Sequence, residues 1–411
     1  MTILKEKPKS FLNKNIALMF SALISSSLGD IFYNVAIGFW VYQTTGSVSL
    51  MSIMASIGMF VNVVLNPIGG VIVDKLHRKK LMIFGDGVQA ILMLIVGFLA
   101  LNNHLSVPVI LVSAFIVSVA GSFYSPAVMT VMIDLVDKSQ LVQSQSSFSG
   151  LNNFIRLIGK GLSGYLTITL GVPLMIIFNG LCNLLAALLI FFMKIPVKHD
   201  VLTNITLVSV FKDLKEGAIL SFSMKGLNLL FICAILTNFF GAGFQALLIP
   251  ISFIKGLSET QYGLFTMSNT AAVILASLFL SVIKIEAKHK LKLFTISFIF
   301  QSLFSVFAFM SFGFLPFTSF FFISELFGMI GNTLLSTSLM LAAPESKRAT
   351  IFGFLSSFSI AGTALSTLVY GSLSTYFDLM LICIVGTILG LITLSPLFFS
   401  PYYKKIMLVN E

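Results

Sequence analysis

Asp30, Glu325, Arg156 and Lys160 lie deep inside long apolar runs. A charge within a hydrocarbon layer is expensive and commonly functional. Burial raises a carboxyl pKa, so an acid placed this way is suited to loading and releasing a proton. Asp30 sits in SSSLGDIFYNVAIGFW, and Asn34, one turn on, shares its face. Glu325, in FFISELFGMIGN, is the only acid inside an apolar run of the second half. For both, a proton or substrate site is weighed against a buried polar bond or a structural salt bridge. Arg156 and Lys160, in FIRLIGKGLSGYL, are four apart and repel unless an acid lies between them or water reaches both. Either they flank Asp30 or Glu325, or they line a cavity suited to an anionic group. Asp86 stands near a basic turn by count and is expected to serve that turn's cations.

That turn runs from Asn66 to Lys80, NPIGGVIVDKLHRKK. Gly69 and Gly70 permit close helix approach. Asp74 can accept hydrogen bonds from a helix N-terminus, where the dipole favours an anion. Lys75, Arg78, Lys79 and Lys80 can meet neighbouring acids and lipid phosphate. Asp137 and Lys138 in one turn, with Glu345, Lys347 and Arg348 in another, are candidates for gate salt bridges. Exposed pairs are individually weak, so such a gate opens without large cost. Asn34, Asn62, Phe240, Phe244 and Gln245 are candidate cavity walls, with Phe60, Asn66, Asn152, Asn153, Asn238, Phe239, Asn269 and Gln301 as further positions. An aromatic, weakly polar cavity suits bulky lipophilic molecules and tolerates variation in their shape.

These residues need elements that hold them in lipid. The chain has 411 residues, of which 57% are hydrophobic and 10% charged, against about 25% charged in ordinary soluble domains. Its mean hydropathy is +1.02. Twelve apolar runs are recognised, near 16–38, 47–73, 81–101, 107–129, 148–168, 173–193, 226–250, 262–283, 293–313, 315–335, 351–372 and 378–399. Each is long enough to cross about 30 Å of hydrocarbon as a helix. The division between the ninth and tenth rests on Gly313–Pro316 alone.

The N-terminal tail, the turns after even-numbered runs and the C-terminal tail hold 22 of the 25 Lys and Arg, while the turns after odd-numbered runs hold Lys255 alone. By the positive-inside bias both termini are cytoplasmic and the number of spans is even. The net charge of +10 therefore sets topology, and no nucleic acid is expected as partner. Cys182, Cys233 and Cys383 lie inside apolar runs without metal spacing, so no metal site is expected. The four lysines before the first run precede a long span rather than a cleavable leader.

The expected architecture is all-α: residues 1–193 form one six-helix bundle, 194–225 a cytoplasmic linker and 226–411 a second six-helix bundle. In the linker, Leu207, Phe211, Leu214 and Ala218 recur at helical spacing, as in an amphipathic helix lying on the membrane surface. No G-x-x-x-x-G-K loop occurs, so energy for active transport must come from elsewhere.

The stretch Gly69 to Lys80 resembles the G-G-x-x-x-D-R-x-x-R-[RK] signature of the major facilitator superfamily, with Lys75 at the first basic position. YQTTGSVSLMSIM and SPAVMTVMIDLV resemble its bacterial macrolide and drug efflux branch. The resemblance implies a multi-pass cell-membrane transporter and not an enzyme. It implies a cytoplasmic latch with Asp74 as pivot and alternating access between two halves. Proton-coupled export of a lipophilic or amphiphilic compound is then expected, without cofactor, by a monomer in membrane lipid. Drug antiporters of this superfamily carry G-x-x-x-G-P-x-x-G-G on the fifth helix. Here Lys160 stands where the proline falls, which weakens a drug–proton antiport assignment. A siderophore, lysolipid or metabolite carrier is the alternative, followed by a non-transporting receptor or channel.

Overall fold

The computed structural model describes residues 14–75, 77–135, 141–194, 215, 219, 227–283, 285–342, 348–401 and 403–404. The expected amphipathic stripe of the linker, Leu207, Phe211, Leu214 and Ala218, lies outside them. The helices are α1 (Lys14–Thr45), α2 (Val48–Lys75), α3 (Arg78–Leu101), α4 (Val107–Leu135) and α5 (Leu141–Phe192) in the first part of the chain. They are followed by α6 (Leu227–Gly241), a 3₁₀ turn (Gly243–Leu247), α7 (Leu248–Ile254), α8 (Glu259–Val282), α9 (Ala287–Met310), α10 (Phe314–Ala342), α11 (Arg348–Leu373) and α12 (Leu379–Phe399). Among the described residues, ten stretches are long and apolar enough to cross a bilayer. Large side chains such as Phe84, Phe98 and Phe399 are exposed. Such a surface is unsuited to water and suited to lipid.

α5 has 52 residues. A straight helix of that length would measure about 78 Å, more than twice the hydrocarbon thickness. Gly171 breaks it, with φ 78° and ψ 158°, and Pro173 follows. Positive φ costs glycine little, so the break falls there. The two arms fold back on each other. An added Cβ at Gly159, twelve residues before the break, would lie 3.1 Å from Ile31, and one at Gly29 would lie 3.1 Å from Cα of Asn179, eight residues after it. Both arms thus meet α1 at the same level.

By contacts the described helices gather into two compact units. One comprises Met1–Ile37 and Val64–Thr206, the other Gly38–Val63 and Leu207–Glu411. The first unit is cored at its basic end by Met19, Met82, Val131 and Ile190, from α1, α3, α4 and α5. α3 approaches the second arm of α5 closely at Gly97 and Gly180.

The second unit is cored by Phe231, Phe294, Phe298, Ile330 and Leu394. It includes the end of α1 and the start of α2. There Phe39 packs edge-on against Phe253 and Tyr262, and Gln43 Nε2 donates to Glu259 Oε1 at 2.6 Å. Ser258 and Gln261 close a capping box at the start of α8. Between α9 and α10, Gly313 takes φ 85°, so the thin division read in the sequence there is a real turn.

Lys255, alone on its side by charge count, is buried at 7% exposure, and its ammonium donates to the Phe309 carbonyl in the last turn of α9. A cation at a helix C-terminus satisfies an orphan acceptor and the dipole together. Burial pushes the Lys255 ammonium below its ordinary range, and the Asp378 carboxylate opposes that shift.

A Gly180→Ala side chain would meet Leu94 at 2.9 Å and its backbone nitrogen at 3.0 Å, whereas at Gly87 nothing lies within 4 Å. Gly180→Ala is expected to cost about 1–3 kcal/mol by overpacking. Gly87→Ala is expected to be neutral or to stabilise by up to about 1 kcal/mol. Thermal melting in detergent checks both; equal melting points would contradict the close packing of α3 on α5.

Candidate functional site

Both units hold an intramembrane carboxylate bonded to or bounded by polar groups. In the first, Asp30 Oδ1 on α1 accepts Gln89 Nε2 from α3 at 2.6 Å and Asn179 Nδ2 from α5 at 3.0 Å. Asn183 donates in turn to the Asn179 carbonyl at 3.0 Å and to its side-chain oxygen at 3.3 Å. Gly29 makes this possible: a Cβ there would lie 2.9 Å from Cys182. Gln89 is eleven residues from Arg78, about 16 Å along the helix, which puts Asp30 near mid-depth of a 30 Å layer. Its partners on α3 and α5 are neutral amides, and Arg156 is exposed rather than bound to it. Lys160 is half-buried on the same arm of α5, and Asn34 is exposed.

The second unit contains a cavity of about 130 Å³ bounded by Glu325, Gln301, Asn238, Gln245, Asn332 and Ser324, among others. Ser305 and Ser324 share a hydrogen bond of 2.7 Å, and Ser324 donates to the Gln301 carbonyl at 3.0 Å. Gly328 leaves the room that the Gln301 amide fills, since a Cβ there would lie 2.7 Å from Nε2. At about 30 Å³ per water the cavity holds about four waters. Drug-sized sites run to about 300–1,000 Å³. This cavity is therefore sized for a proton and its hydration, or for one polar group of a ligand.

Beside it, α6 stops at Gly241, and the chain passes through the 3₁₀ turn into α7. Phe244 and Gln245, on that turn, line the polar cavity. Phe240 instead lines an apolar groove of about 270 Å³ with Phe239, Tyr370, Phe377 and Leu381. The helix break frees the Phe240 carbonyl, and the Tyr370 hydroxyl donates to it. Gly386, lacking a side chain, provides the space for that hydroxyl. Broken helices beside a polar cavity are a recurrent design of transporter sites.

The basic turn is only partly described. The side chains of Gly69, Gly70, Asp74 and Lys75 lie outside the described residues, as do those of Asp137, Lys138, Glu345, Lys347 and Arg348. Lys80 is exposed and Arg78 half-buried. Lys79, expected to meet neighbouring acids and lipid phosphate, pairs with no acid among the described residues. It donates to the carbonyls of Phe191 and Met193, each at 2.7 Å, and so caps α5. Asp86 differs too: it is buried at 3% exposure and its carboxyl faces Tyr124 rather than the basic cluster. Asn62 is half-buried.

Sequence reading missed Gln89 and Asn179 as partners of Asp30, and Asn332, Ser305 and Ser324 in the cavity. The signal was available for the Asn179–Asn183 pair, two amides four apart in an apolar run.

Tyr370→Phe removes the donor from the Phe240 carbonyl and is expected to destabilise the second unit by about 1–3 kcal/mol. Thermal melting in detergent measures this; an unchanged melting point would mean that the carbonyl finds another partner.

The family model described as Major Facilitator Superfamily matches residues 19–231. Macrolide efflux protein A of Streptococcus pyogenes is 25% identical over 237 residues, a match covering 57% of this chain and 57% of that protein's length. A putative bacilysin exporter of Bacillus amyloliquefaciens is 26% identical over 180 residues, 44% of this chain and 42% of that protein. The fold matches the crystal structure of a bacterial homologue of the iron transporter ferroportin in its inward-facing state. The TM-score is 0.73 at 14% identity, covering 95% of this chain and all of that one (100%). A bacterial homologue of the lysosomal transporter Spinster matches with TM-score 0.71 at 13% identity, over 97% and 98% of the two chains. Apolar helices, buried carboxylates and a broken helix beside a polar cavity agree with these likenesses, and the chain belongs to the major facilitator superfamily of membrane transporters, resembling its macrolide-efflux branch.

Proposed function

We propose that this protein is a proton-coupled exporter of a lipophilic or amphiphilic compound, working by alternating access of two six-helix bundles. The observation that carries the reading is Asp30, an acid at mid-depth in a span, bonded to the amides of Gln89 and Asn179. Neutral donors stabilise a carboxylate without locking it to a fixed cation, so protonation remains within reach. Glu325, in a polar cavity too small for a bulky cargo, is the second proton-coupling candidate.

Twelve spans follow if α5 counts as two, the broken stretch from α6 to α7 as one, and α11 joins the rest. Both termini are then cytoplasmic. A proton arriving from outside occupies Asp30 or Glu325, cargo leaves, the halves rock, and the proton departs inside. Gly69, Gly70, Asp74 and the basic residues to Lys80 control that rocking, and Asp74→Ala is expected to slow transport without lowering the folded amount. The apolar groove lined by Phe240 and Tyr370 accommodates the lipophilic part of a cargo. Membrane lipid is the surrounding partner, and one chain suffices for the pathway. The similarity to a macrolide efflux protein and a putative bacilysin exporter supports export over uptake. Arg156 and Lys160 favour a second reading if both line the pathway: a carrier of acidic cargo such as a siderophore, lysolipid or metabolite.

Flux of a compound panel across sealed proteoliposomes, with an imposed pH gradient and with the gradient collapsed, tests the proposal. Gradient-dependent, saturable export of a macrolide is expected. Asp30→Asn or Glu325→Gln should reduce gradient-driven flux by about tenfold or more, equivalent to about 1.4 kcal/mol on the coupled step. Coupling retained in both variants would reject both carboxylates as the proton site.

A further inference from the structure

Asp86 is the most enclosed acid of the described chain, at 3% exposure, and Oδ2 has no hydrogen-bond partner among the described residues. The Tyr124 hydroxyl, also buried, stands beside that carboxyl outside hydrogen-bonding geometry and likewise has no partner. Tyr124 reaches this position because residue 85 is glycine: a Cβ there would lie 3.2 Å from the tyrosine ring. Asp86 is one turn before Gln89 on α3, and Gln89 donates to Asp30. Ser26, buried at 6% exposure, is one turn before Asp30 on α1 and faces the same Tyr124 hydroxyl. Asp30, Ser26, Tyr124 and Asp86 therefore form one polar string across α1, α4 and α3. It descends about one helical turn, roughly 5 Å, from mid-depth towards the Arg78 end.

We propose that Asp86 is a second proton-carrying carboxyl, the station that takes the proton Asp30 gives up. This inference rests on the proton-coupled reading above. In the transfer the Asp30 O–H bond breaks and an O–H bond forms on the Asp86 carboxylate. The Tyr124 hydroxyl passes its own proton to Asp86 as it accepts one from Asp30, either directly or through the Ser26 hydroxyl, which takes the Asp30 proton as it gives up its own. Charge is conserved within the string and no other reactant is needed. The groups facing Asp86 from the packed helices are Asp30 on α1 and Tyr124 on α4, and Ser26 on α1 faces the Tyr124 hydroxyl. Asn179, Cys182 and Asn183 on α5 surround Asp30. Lys79, a nearby cation on the same helix, is engaged with the end of α5. Two acids within interacting distance titrate as a pair, so the state of one governs the other.

Infrared titration of the carboxylic-acid stretch in purified protein, with the proton itself as probe, tests this. Asp86→Asn should remove a discrete, pH-dependent acid signal, Asp86→Glu should restore one, and Asp30→Asn should move the titration of the Asp86 signal. Tyr124→Phe should keep both acid signals and lower gradient-driven flux about tenfold, or about 1.4 kcal/mol on the proton step. This variant serves if Asp86→Asn does not fold. An Asp86→Asn spectrum identical to wild type, or gradient-driven flux undiminished in Tyr124→Phe, would overturn the station. Wild-type flux indifferent to the pH gradient, with the Asp86 signal still titrating and still moved by Asp30→Asn, would reject proton coupling and uphold the proton link between the two acids.

Discussion

Lipid offers no hydrogen bonds, and the arrangement of this chain follows from that single constraint. A polar group placed in the hydrocarbon is costly unless it finds a partner within the protein. The backbone meets the requirement as helix. Where helices end or break, side chains complete it: Lys79 on the end of α5, Lys255 on Phe309, Tyr370 on Phe240. The same requirement fixes Asp30, whose carboxylate is held by amides from two other helices. A side chain that must be satisfied internally cannot be placed carelessly, and its partners reveal the helices that position it.

Satisfaction by neutral donors differs from satisfaction by cations. A buried ion pair is costly to separate, and a lysine opposite Asp30 would tie its charge state to that partner. Two amides leave the carboxyl able to change state with modest rearrangement. The Glu325 cavity reaches a comparable outcome by space, since its polar walls leave room for hydration. Close helix contacts support both sites. Gly29 admits Asn179 and Cys182 beside Asp30, and Gly328 admits Gln301 beside the Glu325 cavity. Both glycines lie close in sequence to the acid they serve, at positions 29 and 328 against 30 and 325.

Much of the fold was legible because membrane helices advertise themselves by apolar length and flanking charge. The thin division near Gly313 and the hairpin at Gly171 were both visible as interruptions in apolar runs. The acids Asp30 and Glu325 were visible because charge in such a run is rare. Their partners were not, since one-dimensional spacing does not say which of several amides meets across helices. Asp86 was misread for the same reason. Its position in the chain is close to the cations, but the rotation of α3 turns it towards Tyr124. The cap that Lys79 places on the end of α5 was not legible, because spacing in one dimension does not say which helix end a lysine reaches. The outer part of α1 and the start of α2 gather with the second unit, a division by contacts that chain order does not suggest.

The account depends most on which ends of these helices share a side of the membrane. The three native cysteines are buried, so single cysteines introduced at Lys80, Lys288, Asn103 and Thr375 can be labelled in intact cells against little background. An impermeant thiol reagent should reach the positions at Asn103 and Thr375 from outside and those at Lys80 and Lys288 only after the membrane is opened. Labelling of the Lys80 and Lys288 positions from opposite sides would contradict the arrangement, and the alternating-access reading with it.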